Sequence, residues 1–197
     1  MEKITHTNPD GSTVEVFVGD RVIVAAGVTL GAHVVLCDKV TVEAGATLGP
    51  GVWVGEGAII GPGVRVCRDT TLESAVILED GVAVGERVLL QHAVMVSRGA
   101  SIDDGAHVGA HAKIGPGVIV NKLARIGCGA VFGRGAFVGD GASVAHGSRI
   151  GDGASVGLDA TVAPDELVPR GTIIGRGCVF VGGHVVNDDE KAHGEEG

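Results

Sequence analysis

The sequence predicts an all-β coil of short parallel strands, and three observations carry that expectation. Every sixth residue from Val18 to Val186 is aliphatic or Phe, which makes 29 hexads without an insertion or deletion. Two residues before each of these stands Ala, Val, Ser, Thr or Cys in 27 of the 29 hexads, the exceptions being Glu166 and His184. The glycines keep the same clock: 14 lie one residue after the aliphatic position and 17 lie three residues after it, so 31 of 35 occupy two columns of six. A period of six is neither the 3.6 of a helix nor the two of an ordinary strand. Glycine permits positive φ and tight corners, so the unit reads as a short strand followed by a corner.

Composition agrees. The chain has 197 residues, enough for one domain or one repeat array. Hydrophobic residues make up 45% and aromatics only 3%, with no Tyr and a single Trp, Trp53. The core must therefore be built from Val, Ile, Leu and Ala. Collagen is excluded because glycine is not every third residue, and disorder is excluded by the apolar fraction. The formal net charge is −9. No basic stripe marks a nucleic-acid footprint. Cys37, Cys67, Cys128 and Cys178 are widely spaced with no CxxC pair, which predicts free thiols in a reducing cytoplasm. No signal peptide opens the chain, and no apolar run approaches the ~18 residues of a spanning helix, so no membrane insertion is expected.

Three segments follow along the chain. Residues 1–17 read as a β-hairpin cap, with Ile4–Thr7 and Ser12–Phe17 joined by the turn Asn8-Pro9-Asp10-Gly11. Residues 18–186 are the repeat. Residues 187–197 carry five acidic and one basic side chain and read as a flexible acidic tail. The repeat resembles the hexapeptide-repeat family. That resemblance covers residues 18–186 and implies a left-handed parallel β-helix in which three hexads make one triangular coil of 18 residues. Just under ten coils are expected, roughly 46 Å tall at ~4.8 Å per strand.

Sorting outward residues by 18 yields three faces. One carries Ile23, Thr41, Ile59, Ile77, Met95, Lys113, Val131, Arg149, Leu167 and Val185. A second carries Phe17, Val35, Trp53, Thr71, Leu89 and His107 before turning polar, and the third carries Thr29, Thr47, Arg65, Ala83 and Ser101. The first two expose apolar side chains and share one corner, so an oligomer contact is expected there, with Trp53 in the interface. The family resemblance implies a homotrimer. The shared corner also brings His92, His111, Cys128 and His146 onto four successive coils.

Many members of the family that this chain resembles are acyltransferases using acyl-CoA or a carrier-protein thioester. Their general base is a His two residues after a core aliphatic, in an aliphatic-x-His-x-(Cys or Ser)-x-aliphatic-Gly frame. Val144-Ala145-His146-Gly147-Ser148-Arg149-Ile150-Gly151 matches that frame, and Leu90-Gln91-His92-Ala93-Val94-Met95-Val96-Ser97 matches it less fully. A neutral imidazole would take the proton of an amine or hydroxyl acceptor, a small molecule, as it attacks the thioester. A backbone N–H one coil later would hold the oxyanion. For His92 that residue is Ala110; for His146 it is Pro164, which has no N–H. Neither His is followed by the acidic residue that often orients the base. Val168-Pro169-Arg170-Gly171 is similar to the Pro-x-Gly segment near the family's CoA site, although Arg176-Gly177-Cys178 replaces the usual continuation. Arg149, Arg170 and Arg176 are therefore candidates to meet CoA phosphates.

Two other readings stay open. The gamma-class carbonic anhydrases share the fold, and Leu90-Gln91-His92 resembles their Ile-Gln-Asp segment. Their zinc-binding histidines would fall at Ser97, Ala110 and Gly115, none of which is His, so no metal is expected at that place. Only a different site, using His92, His111, Cys128 or His146 of neighbouring chains, would remain. The unbroken register equally suits a non-catalytic scaffold, natural, idealised or designed, because functional loops are where sites usually live and this repeat has no room for one.

Overall fold

Each hexad folds the same way because two of its six side chains are apolar and two residues apart. In the computed structural model, which describes residues 1–187, both columns point inward. Leu36, Ile60, Leu90 and Ile114 are buried beside Val34, Ala58, Val88 and Ala112, one residue of exposed strand lying between each pair. Most strands are only two residues long, such as Leu89–Leu90, and each pairs in parallel with the strand 18 residues away: Thr71 with Leu89, Leu89 with His107. Three sheets result, forming the left-handed parallel β-helix: a first of 12 strands, a second of 9 that begins at Ile23–Val24 and a third of 9 that begins at Thr29–Leu30. Where the small column shrinks to Ala130, the aliphatic column admits Phe132, which keeps the coil volume filled.

The corners explain the glycine clock. Positive φ recurs at every sixth residue from Arg21 to Gly177, at 16 glycines and 11 other residues. Glycine occupies this position most often because it carries no Cβ penalty in the left-handed region. From Gly51 to Gly177 each left-handed residue donates its N–H to the carbonyl nineteen residues earlier, as His111 does to the His92 carbonyl at 2.9 Å. That bond fixes which side chains become neighbours along a corner.

Both ends of the 12-stranded sheet close with an antiparallel pair. Glu2–Thr7 pairs with Thr13–Val18. The buried Asn8 side chain then accepts the Leu30 N–H at 2.8 Å and donates to the Leu30 carbonyl at 3.0 Å, so it occupies the first strand of the third sheet as a further strand would. At the other end the coil stops sooner than the repeat suggests. Val186 does not continue it: His184–Val186 folds back on Val179–Val181, pairing Val186 with Val179. Nine full turns therefore run from Val18 to Phe180, roughly 43 Å at ~4.8 Å each. Glu166, an exception in the small column, accepts the N–H groups of Gly182 and Gly183 at 2.6 and 3.2 Å and so holds that final turn. The tail expected over residues 187–197 falls, apart from Asn187, outside the described residues.

Exposed apolar side chains are not confined to two faces. Ile23, Ile59, Met95 and Leu167 lie on one and Trp53 on the next, but Ile119, Phe137 and Ile173 stand out on the third. No helix among the described residues is long and apolar enough to cross a membrane.

Candidate functional site

The corner between the first two faces gathers the chemistry. Residues 91–94 turn from the strand Leu89–Leu90 into Met95–Val96, which leaves the His92 side chain exposed at the edge of the prism. Three neighbours hold it. Ser74, one coil earlier, places Oγ 2.9 Å from His92 Nδ1. Glu73 accepts the His92 N–H through Oε2 at 2.9 Å. The ring of His111 stands edge-on to that of His92, with centroids 5.3 Å apart. When Ser74 Oγ accepts the Nδ1–H, the proton sits on Nδ1 and the Nε2 lone pair is free to act as a base.

The backbone N–H of Ala110 is present as expected, but it is occupied. Gln91 Oε1 accepts it at 3.1 Å. To serve as the expected oxyanion donor, that N–H would first have to be released by the Gln91 amide. Cys128 Sγ lies 4.0 Å from the same Gln91 oxygen.

His146 sits three coils beyond His92 along the same corner. Gly127 lets the chain pass beneath it, since a Cβ there would overlap the His146 backbone nitrogen. The acidic partner missing from the linear motif is supplied from the next coil: Asp165 Oδ2 stands 3.9 Å from His146 Nε2. That is an ion-pair distance for the protonated ring and too long for a hydrogen bond. Pro164 leaves His146 without the backbone donor that Ala110 offers to His92.

The three candidate arginines stand at three different places around the coil. Arg149 lies in the strand Arg149–Ile150 on the second sheet. Arg170 lies at the corner that follows that sheet, and Arg176 at the third corner. Among the described residues, no group of three or more His, Cys, Asp or Glu side chains is placed to hold a metal ion, and His92, His111, Cys128 and His146 form no such set.

A cleft of about 720 Å3 adjoins the His92 supports, lined by Glu73, Ser74, Trp53, Thr71, Glu56 and Asp38, with Cys37 and Met1. Burial, and then the Asp38 and Glu56 carboxylates, push the Cys37 thiol above its ordinary pKa, so it stays protonated and inert near neutral pH. Trp53, expected in an interface, here forms one wall. Glu73, Ser74 and Asp165 were not singled out by motif. The signal that finds them is spacing, since a corner residue meets those 18 and 19 positions away.

Comparisons with known proteins agree with this architecture. The family described as bacterial transferase hexapeptide (six repeats) matches residues 33–68. LpxA from Acinetobacter baumannii superposes with a TM-score of 0.67 at 12% identity, over 92% of this chain and 76% of that one. An Arabidopsis UDP-N-acetylglucosamine acyltransferase superposes with a TM-score of 0.72 at 13% identity, over 83% of this chain and 66% of that one. The corresponding Francisella novicida enzyme gives 0.61 at 10% identity, over 90% and 74%. At these identities the likeness is one of fold. No curated protein sequence matches the chain.

Proposed function

We propose that this hexapeptide-repeat β-helix is an acyltransferase that moves an acyl group from acyl-CoA to a small amine or hydroxyl acceptor, with His92 as general base. The observation that carries the reading is the Ser74 Oγ to His92 Nδ1 contact of 2.9 Å, which orients the ring and leaves Nε2 outward. Nε2 takes the acceptor proton as the acceptor attacks the thioester carbonyl. The oxyanion that forms is held by the Ala110 N–H once Gln91 releases it. Collapse breaks the carbon–sulfur bond, and the imidazolium returns the proton to the departing thiolate. The 720 Å3 cleft beside Ser74 is the size of a small-molecule site and suits the acceptor.

His146 is the second candidate base. Its fuller motif and the Asp165 carboxylate support it; the missing N–H at Pro164 counts against it. Arg149, Arg170 and Arg176 would meet the donor's phosphates. The working assembly in this reading is a homotrimer in the cytoplasm, with the apolar faces beside the His corner packed between subunits. One observation favours a scaffold instead: no loop leaves the prism between Val18 and Phe180.

The test is acetyl-CoA binding by calorimetry to protein whose mass is set by light scattering, followed by thiol release with amine and sugar acceptors. Saturable binding and a rate that falls about 100-fold in His92→Ala support the reading. An unchanged rate in His92→Ala, His146→Ala and the double variant would sink it, and absence of binding at millimolar donor would move the protein to the scaffold reading.

A further inference from the structure

A second cleft lies away from the histidines, at the corner between the second and third sheets. It measures about 640 Å3 and is lined by Pro116, Phe132, Gly133, Arg134, Asp152, Gly153 and Arg170. On successive coils the corner column reads Arg98, Pro116, Arg134, Asp152, Arg170. Arg134 and Arg170 are thus two coils apart, roughly 10 Å along the axis, and both side chains reach the same opening. Among the described residues, neither guanidinium has a carboxylate within 4.0 Å, whereas Arg68 and Arg87 are both paired with Glu86.

The acidic residue between them is already engaged. Asp152 Oδ1 accepts the Arg134 backbone N–H at 2.8 Å, so this carboxylate serves the coil-to-coil contact rather than either guanidinium. Gly133 has no alternative there, because a Cβ would overlap Asp152 Oδ1. At Gly153 a Cβ would meet nothing within 4 Å, so the missing side chain keeps the cleft open. With one carboxylate against two guanidiniums the cleft carries a net positive charge.

We infer that Arg134 and Arg170 form a clamp for a phosphate-bearing small molecule, a phosphate monoester or a diphosphate. The guanidinium fork matches two phosphate oxygens at once, and two forks entering one cleft match a group with several equivalent oxygens. A single carboxylate ligand would engage one fork and leave the other unused. The clamp's Arg170 arm rests on the proposed function, which gives that side chain to the donor's phosphates, and Arg134 is what the cleft adds; phosphate binding itself needs neither histidine.

Inorganic pyrophosphate is the probe, titrated into the full chain by calorimetry at low salt. Saturable binding is expected, weakened about tenfold in each of Arg134→Gln and Arg170→Gln, unchanged in Arg65→Gln, which stands four coils before the level of Arg134, and falling as salt is raised. Amide shifts of Gly133 and Gly153 in the wild-type protein on adding pyrophosphate report the same site without any substitution. Absence of saturable binding at 10 mM pyrophosphate, or equal binding by the Arg134→Gln/Arg170→Gln double variant, overturns the clamp. Competition with adenosine 3′,5′-bisphosphate separates the sources. Displacement assigns the clamp to a nucleotide-type phosphate such as the donor of the proposed transfer; persistence of pyrophosphate binding assigns it to another phosphate ligand. An inactive acyl transfer assay alongside intact pyrophosphate binding would count against the transferase reading alone.

Discussion

His146 and Asp165 meet across two coils, with Nε2 and Oδ2 3.9 Å apart. Asp165 is nineteen residues further along the chain, and the same step brings His111 against His92. In both pairs the later residue is the left-handed corner residue, and its N–H donates to the carbonyl of the earlier one at 2.9 Å. The corner hydrogen bond is what converts a sequence step of nineteen into a side-chain contact. One pair becomes two imidazoles set edge to face and the other an imidazole beside a carboxylate.

Both members of the His146–Asp165 pair are largely exposed, so water screens their attraction. Asp165→Asn is expected to leave the transfer rate within about twofold of wild type if His92 is the base. Initial rates under saturating donor decide it, and a loss of tenfold or more would place the base at His146.

Gln91 guards the Ala110 N–H at 3.1 Å. Gln91→Ala frees that donor without touching either imidazole. The expected result is a kcat equal to or above wild type, with a melting temperature lowered only slightly. A fall in kcat of about 100-fold, the usual cost of losing an oxyanion contact, would mean that the Gln91 amide itself takes part.

The Asn8 cap predicts a stability effect far from any site. Asn8→Ala leaves the Leu30 N–H and carbonyl without their partner at a buried edge. A loss of about 1–3 kcal/mol is expected in denaturant unfolding. In a solenoid each coil rests on its neighbours, so hydrogen exchange should quicken first in residues 13–36. Uniform quickening over the whole chain would contradict this.

Asp104 contributes to acid sensitivity. Its carboxylate accepts the Glu86 N–H, and Lys122 and Arg87 lie nearby, which together hold its pKa below the ordinary aspartate value. A folded pKa below the unfolded one means that the unfolded chain binds more protons as pH falls. The contribution is therefore complete above the unfolded value of about 4 and is lost as pH drops through the folded one. Melting temperature should be level from pH 7 to 5 and decline below about pH 4, with a shallower decline in Asp104→Asn. Glu15, lowered by Lys3, and Asp10, lowered by the Ser12 hydroxyl and N–H, act in the same direction.

Much of the fold was legible because it repeats. Leu90, Val88 and Gly109 each stand in a column, and a column read many times outweighs any single propensity. Glu166 and His184 broke the small column and looked like defects. One binds the final turn and the other lies in the return strand. The pattern could not reveal this, because Val186 keeps the aliphatic period even though it pairs antiparallel. Apolar residues at Ile119, Phe137 and Ile173 were readable but lay outside the stretch that defined the third face.

The candidate site was legible only in part. The corner column placed His92, His111, Cys128 and His146 together, since register alone stacks residues 18 apart. The same spacing set Ser74 and Glu73 beside His92 and Asp165 beside His146, but which atoms meet required the direction of each side chain, and Gln91 required knowing that its amide folds onto Ala110. Arg134 and Arg170 share a cleft, whereas Arg176, six residues after Arg170, falls at the next corner, because a triangular coil puts residues six apart on different sides.

The amino-acid sequence by itself determined the period, the inward columns, the glycine corners and the sheet-forming register. These are local requirements repeated along one axis, and backbone pairing at 18 residues satisfies them all at once. Only the tertiary structure decided where the coil stops, which corner side chains touch, and which donors remain free. Those outcomes depend on rotamers and on hydrogen bonds made across coils, where several partners compete for one N–H and the winner is set by geometry rather than by spacing.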